Sequence, residues 1–177
     1  MEVSKDTALM VIDVQNGMFL EEYPIHEDEK LLNRINLLLA KARESQIPVI
    51  YVQHNEEKGT PLETHTPGWE IHSAIAPAPQ DLIIQKYVPD SFHETNLQDE
   101  LAGRGIKKLV LSGLQTDCCI DATCRRAVEL GYEVTVVKDA HSTYGQDSRS
   151  AEQIINEYNQ SFAERVNLLE ASEVEFN

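Results

Sequence analysis

Five nearly unbroken runs of Val, Ile and Leu punctuate this chain, with segments of helical character between them. They are Ala8–Asp13, Pro48–Gln53, Leu82–Gln85, Lys108–Ser112 and Glu133–Lys138, with a weaker sixth at Ala163–Leu168. A strand wet on one face alternates polar and apolar residues, whereas a continuous apolar run suits a strand covered on both faces. Lys30–Ser45, with Leu and Ile at helical spacing, Thr95–Ala102, Cys118–Leu130 and Ser148–Gln160 read as helices. Thr95-Asn-Leu-Gln98 fits a capping box, and Gly131 behind Leu130 fits a helix stop. Parallel neighbours need crossovers of one hand, so the pattern predicts an α/β fold. It is a single-domain, three-layer, doubly wound, mainly parallel sheet of about six strands with helices on both faces. A length of 177 residues suits one domain spanning 1–177.

Ligands in such sheets bind beyond the carboxyl ends of the strands. Asp13, Lys86 and Cys119 each follow an apolar run at that edge. Cys119 sits where a strand turns into a helix, and a thiol there meets unpaired N–H groups and the positive end of the dipole, which favours thiolate. A cysteine nucleophile also needs a base and donors for an oxyanion. Asp13 supplies a base, and Lys86 a cation that offsets two adjacent negative groups and further favours thiolate. Each residue alone also has a plain structural explanation: a packed thiol, a turn-capping carboxylate, a strand-end lysine. It is the three in matching positions that point to chemistry.

The irregular stretch 54–80 holds four prolines, two glycines and Trp69, and reads as a lid, a binding loop or a dimer contact. Gln15, Phe19, Tyr23, Trp69 and Phe92 are candidates for the pocket wall, with Gln15 also placed to orient Asp13. Ile120, Cys124, Ala127 and Val128 share a helical face, which makes Cys124 a core residue. Cys118 and Cys119 would bridge only with strained geometry. Arg125 and Arg126 are expected to face solvent or pair with carboxylates.

Asp13-Val-Gln15, Lys86 with Ser91-Phe92 downstream, and Gly113-Leu-Gln-Thr-Asp-Cys-Cys-Ile120 together resemble the signature of the isochorismatase-like cysteine hydrolases, which include nicotinamidases and N-carbamoylsarcosine amidases. The resemblance runs from Asp13 to at least Asp139. It implies an amidohydrolase acting on a small-molecule amide, carbamoyl or ureido C–N bond, with Cys119 rather than Cys118 as nucleophile and a thioester intermediate. It further implies a cis peptide between Leu114 and Gln115, an oxyanion hole made by the N–H groups of Gln115 and Cys119, and assembly into homo-oligomers, dimers or larger. Nicotinamidases of this family hold a metal through an Asp-x-His element after the second strand. The corresponding segment here is Gln53-His54-Asn55, and His54, His65 and His72 are irregularly spaced, so neither a metal nor another cofactor is expected. The alternatives are a receiver-like signalling domain or a thiol redox-sensing module on the same fold.

The formal net charge of −15 argues against nucleic acid or anionic membrane as partner, and the resemblance implies a small-molecule substrate. Three cysteines, no signal-peptide pattern and no apolar run near the ~20 residues of a membrane span place the chain in the cytoplasm as an expectation.

Overall fold

The computed structural model describes residues 5–176. Six strands, β1 (Thr7–Ile12), β2 (Val49–His54), β3 (Leu82–Lys86), β4 (Lys108–Leu114), β5 (Glu133–Ser142) and β6 (Asn167–Leu169), form one sheet in the order β3-β2-β1-β4-β5-β6. Every pairing is parallel. Because side chains alternate across a strand, β1 sends Leu9 and Val11 to one face and Ala8, Met10 and Ile12 to the other. Both sets are buried, which is why the run contains no polar residue.

Helix α1 (Asp28–Glu44) covers the first face with Leu31, Ile35, Leu38 and Leu39, joined by Ala171, Val174 and Phe176 from the C-terminal segment. Helices α2 (Leu97–Gly103) and α3 (Asp121–Glu129) cover the second, together with Phe162 of α4 (Ala151–Arg165). No helix among the described residues is long and apolar enough to cross a membrane.

Several elements differ from the sequence expectation. The sixth strand is only Asn167–Leu169, because Ala163–Arg165 finishes α4: these helix-favouring residues follow the buried Phe162, and Val166 N–H closes on the Phe162 carbonyl. The capping box at Thr95 does not form. The Thr95 hydroxyl donates to the Ser91 carbonyl at 2.7 Å and accepts from Leu97 N–H, and α2 starts behind Asn96 without a side-chain cap. Ser150 and Gln153 do form a capping box, on α4. The helix expected from Cys118 is two pieces, a π-helical turn over Thr116–Ile120 running into α3. Cys124 is buried as expected, but Val128, at the edge of that face, is 42% exposed.

The strand order reverses between β1 and β4, and the site lies above this switch point. Their carboxyl ends approach closely at Gly113, whose φ is +120° and where an added Cβ would lie 2.1 Å from the Ile12 carbonyl oxygen. Only glycine fits both the backbone conformation and the gap. Gly113→Ala should therefore cost about 3 kcal/mol or more and disturb Asp13 next door. Gly103→Ala, with open space at its Cβ, should be neutral or stabilise by about 0.5 kcal/mol. Urea unfolding of the two variants checks both.

Candidate active site

The end of β1 places the first acidic group. Asp13 takes a left-handed φ of 55°, its N–H bonds the Val52 carbonyl at 2.9 Å, and it is buried. Two strands away, Lys86 closes β3 with no solvent exposure at all. Its ammonium lies 3.0 Å from Asp13 Oδ2, 3.3 Å from Cys119 Sγ and 2.8 Å from His54 Nδ1. An ammonium carries three donors and no acceptor, so these three contacts satisfy it completely. Burial pulls Lys86 down, yet Asp13 and Cys119 outweigh that and hold it above the usual lysine value. Taking such an ion pair out of water costs several kcal/mol per ion and adds little net stability, so its presence here points to chemistry.

Two polar features remain open. Asp13 Oδ1 is buried with no hydrogen-bond partner. A buried acceptor left unpaired costs about 1–3 kcal/mol, and this one sits beside a thiol. The Cys119 thiol is pushed up by its contact with the Cys118 sulfur, 3.9 Å away, by burial and by the Asp13 carboxylate, with Lys86 pulling it down. The resting sulfur is therefore a thiol, contrary to the expected thiolate. Two of the helix-end donors that suggested a thiolate are occupied, since the N–H groups of Cys118 and Ile120 both bond the Gln115 carbonyl at 3.1 Å. The Leu114–Gln115 peptide just before this turn is cis.

Second-tier contacts fix the turn that carries Cys119. Thr116 Oγ1 pairs with His141 Nδ1 at 2.7 Å, and His141 Nε2 with Asn159 Oδ1 at 2.7 Å. Burial holds His141 down to about 4, so the ring is neutral. Thr143 donates to Asp117 at 2.7 Å. A groove of about 700 Å³ lies beyond this relay, lined by Arg34, Lys138, Asn156 and Asn159 among others, and none of Asp13, Lys86 or Cys119 reaches it.

The expected wall residues divide. Gln15 is fully buried and spends its amide on backbone, donating to the carbonyls of His54 and Trp69 at 3.0 and 2.8 Å and accepting from His54 N–H at 2.9 Å. It ties the end of β2 to the 54–80 loop, and the one bond from Gln15 to Asp13 is from its backbone N–H to the Asp13 carbonyl at 3.0 Å. Trp69 is half-buried and donates to Asn55 Oδ1 at 2.9 Å. Phe19 is half-buried with its edge against His72, and Tyr23 is 71% exposed. Phe92 shares an apolar cluster with Cys119 and stacks on Tyr132. The loop is laced to the segment after β1 through Asn16 N–H to Glu70, Gly17 N–H to Gly68 and His72 N–H to Val14.

The role of His54 was not read from the sequence. The parallel register sets it opposite Lys86, and matching the ends of the second and third apolar runs was the available signal. Its Nδ1 is taken by the ammonium, His65 lies edge-on to Trp69, and His72 Nδ1 accepts from Ala74 N–H. Among the described residues no three His, Cys, Asp or Glu side chains converge as a metal site would require. A receiver-like domain would need such an acidic group beside Asp13.

Comparison with known proteins places this geometry in context. Residues 7–168 match the family model of the isochorismatase domain. The chain is 36% identical over 137 residues to streptothricin hydrolase of Streptomyces noursei, a match covering 77% of this chain and 50% of that protein. This chain thus spans about half the length of that relative. It is 40% identical over 140 residues to the uncharacterized isochorismatase family protein YddQ of Bacillus subtilis, covering 77% of this chain and 78% of that one. A crystal structure of an isochorismatase family protein superposes with a TM-score of 0.89 at 29% identity, over 95% of this chain and 99% of that chain.

Lys86→Met removes the cation that pulls the Cys119 thiol down. The pH midpoint for iodoacetamide alkylation of Cys119, followed by peptide mass spectrometry, should rise by about 1–3 units. The unpaired Asp13 should also cost about 3–5 kcal/mol of stability in urea unfolding.

Proposed function

We propose that this chain, which belongs to the isochorismatase family, is a hydrolase that cleaves a small-molecule amide, carbamoyl or ureido C–N bond through a thioester on Cys119. The observation that carries this reading is the unpartnered, buried Asp13 Oδ1 on a carboxylate whose other oxygen is held by Lys86 beside the Cys119 sulfur. Such an oxygen is an acceptor kept free for a proton that moves during reaction. The likeness to streptothricin hydrolase supports a hydrolytic reaction.

In this mechanism Asp13 takes the Cys119 proton as the sulfur attacks the substrate carbonyl carbon. Because the resting group is a thiol, proton transfer and S–C bond formation are coupled, and no free thiolate waits in an apolar pocket. The oxyanion of the tetrahedral intermediate is met by the N–H groups of Gln115 and Cys119, donors fixed in place before the charge develops. Protonated Asp13 then gives its proton to the departing nitrogen as the C–N bond breaks. For the second half, Asp13 takes a proton from water, the oxygen attacks the thioester, and the sulfur leaves and recovers the proton. Lys86 stays charged throughout and stabilises negative charge as it passes through the cluster. Lys86 donates no proton in any step.

An ammonia-release screen over small amides, ureas and carbamoyl compounds, with and without chelator, tests the reaction class and metal dependence together. With an active compound found, Cys119→Ala should lower kcat/KM by at least about 10³-fold with unchanged circular dichroism, and Cys118→Ala should stay within about fivefold. A hydroxylamine-sensitive acyl adduct on the Cys119 peptide is expected in quenched reactions. Turnover that survives Cys119→Ala would refute the mechanism, as would equal losses in the two cysteine variants.

A further inference from the structure

We propose that His54 is a substrate-contacting residue, whose Nε2–H binds a second carbonyl oxygen close to the reacting carbon and so selects imide, N-acylurea or 2-oxoamide substrates over simple amides. This rests on the hydrolase reading and adds to it the substrate's second polar group.

The argument begins with the ammonium. Lys86 offers only hydrogens, so His54 Nδ1, 2.8 Å from Nζ, accepts one of them. A neutral imidazole has one acceptor and one donor, so the contact fixes the tautomer and puts the hydrogen on Nε2. The ring is neutral because burial and the adjacent Lys86 charge lower it, against smaller opposing effects of Asp13 and Glu56. Among the described residues, that Nε2 bonds no side chain or backbone group.

Position supplies the rest. Lys86, Asp13 and Cys119 are each buried, at 0%, 2% and 7% exposure. His54 is partly exposed, as is Cys118, and in this proposal a molecule that approaches the sulfur from solvent passes the His54 ring. The Gln15 amide clamps the main-chain N–H and carbonyl of His54, and the Nδ1 contact with Lys86 orients the ring. A fixed, neutral N–H donor at the entrance suits a neutral oxygen acceptor. The Glu56 carboxylate, close enough to act on His54 electrostatically, disfavours an anionic one.

Two alkylating probes separate this contact from any effect on Lys86. Iodoacetamide places a carbonyl next to the carbon that Cys119 attacks, whereas iodoethane alkylates the same sulfur with no carbonyl. Losing the acceptor for Lys86 slows both reagents alike, so their rate ratio reports the contact alone. In His54→Leu the iodoacetamide-to-iodoethane ratio at Cys119 should fall roughly five- to tenfold, the worth of one neutral hydrogen bond. His54→Gln, which keeps an acceptor and a donor, should restore it to within about twofold. Nitrogen-15 NMR of the wild-type ring should show the hydrogen on Nε2. An unchanged ratio in His54→Leu, or a hydrogen on Nδ1, would overturn the proposal. A falling ratio in a protein that releases ammonia from none of the screened compounds would support the contact and reject the hydrolase reading.

Discussion

A lysine ammonium sealed from solvent must find three acceptors, and most of what is distinctive about this molecule follows from that requirement. The acceptors of Lys86 come from β1, from the end of β2 and from the turn after β4. No two of them are near in sequence. Parallel pairing in the order β3-β2-β1-β4 brings the four strand ends together, and the Gly113 gap lets β4 close against β1 tightly enough to bring the sulfur into range. Fold and chemistry meet in this one cation. Its removal strands a carboxylate in an apolar setting and takes a cation away from the Cys119 sulfur.

The same cation has a partner that competes with it. Lys86 favours a negative sulfur, while the Cys118 contact, burial and Asp13 favour a neutral one. The neutral form prevails at rest. In the proposed mechanism this places the proton where Asp13 can take it as the substrate arrives, and a neutral thiol is less open to oxidants, which attack thiolates.

Much of the fold was legible because strands buried on both faces leave a plain mark. Ala8–Asp13 and Lys108–Ser112 admitted few other readings, and their ends marked where Asp13 and the Cys119 turn emerge. What escaped had physical reasons. Asn167–Leu169 is a short edge strand fused to a helix, so no periodicity separates them. The Thr95 cap failed because the hydroxyl turns to local partners, donating to the Ser91 carbonyl four residues back and accepting from Leu97 N–H. His54 escaped because its task is set by register across two strands. The state of Cys119 escaped because sequence reveals which charges exist but not how little water surrounds them. The task of Gln15 escaped too, since its side-chain amide serves backbone groups of His54 and Trp69 and not the Asp13 carboxylate.

The lacing of the 54–80 loop has a consequence for how such a protein diversifies. Asn16, Gly17 and His72 fasten the loop through main-chain bonds, and Gln15 anchors it at Trp69 by the carbonyl rather than the indole. Bonds between main chains are indifferent to side-chain identity. Outside Gly17 and Gly68, where an added Cβ would meet the Pro61 carbonyl, exposed side chains along that stretch can therefore change over generations without undoing the lacing.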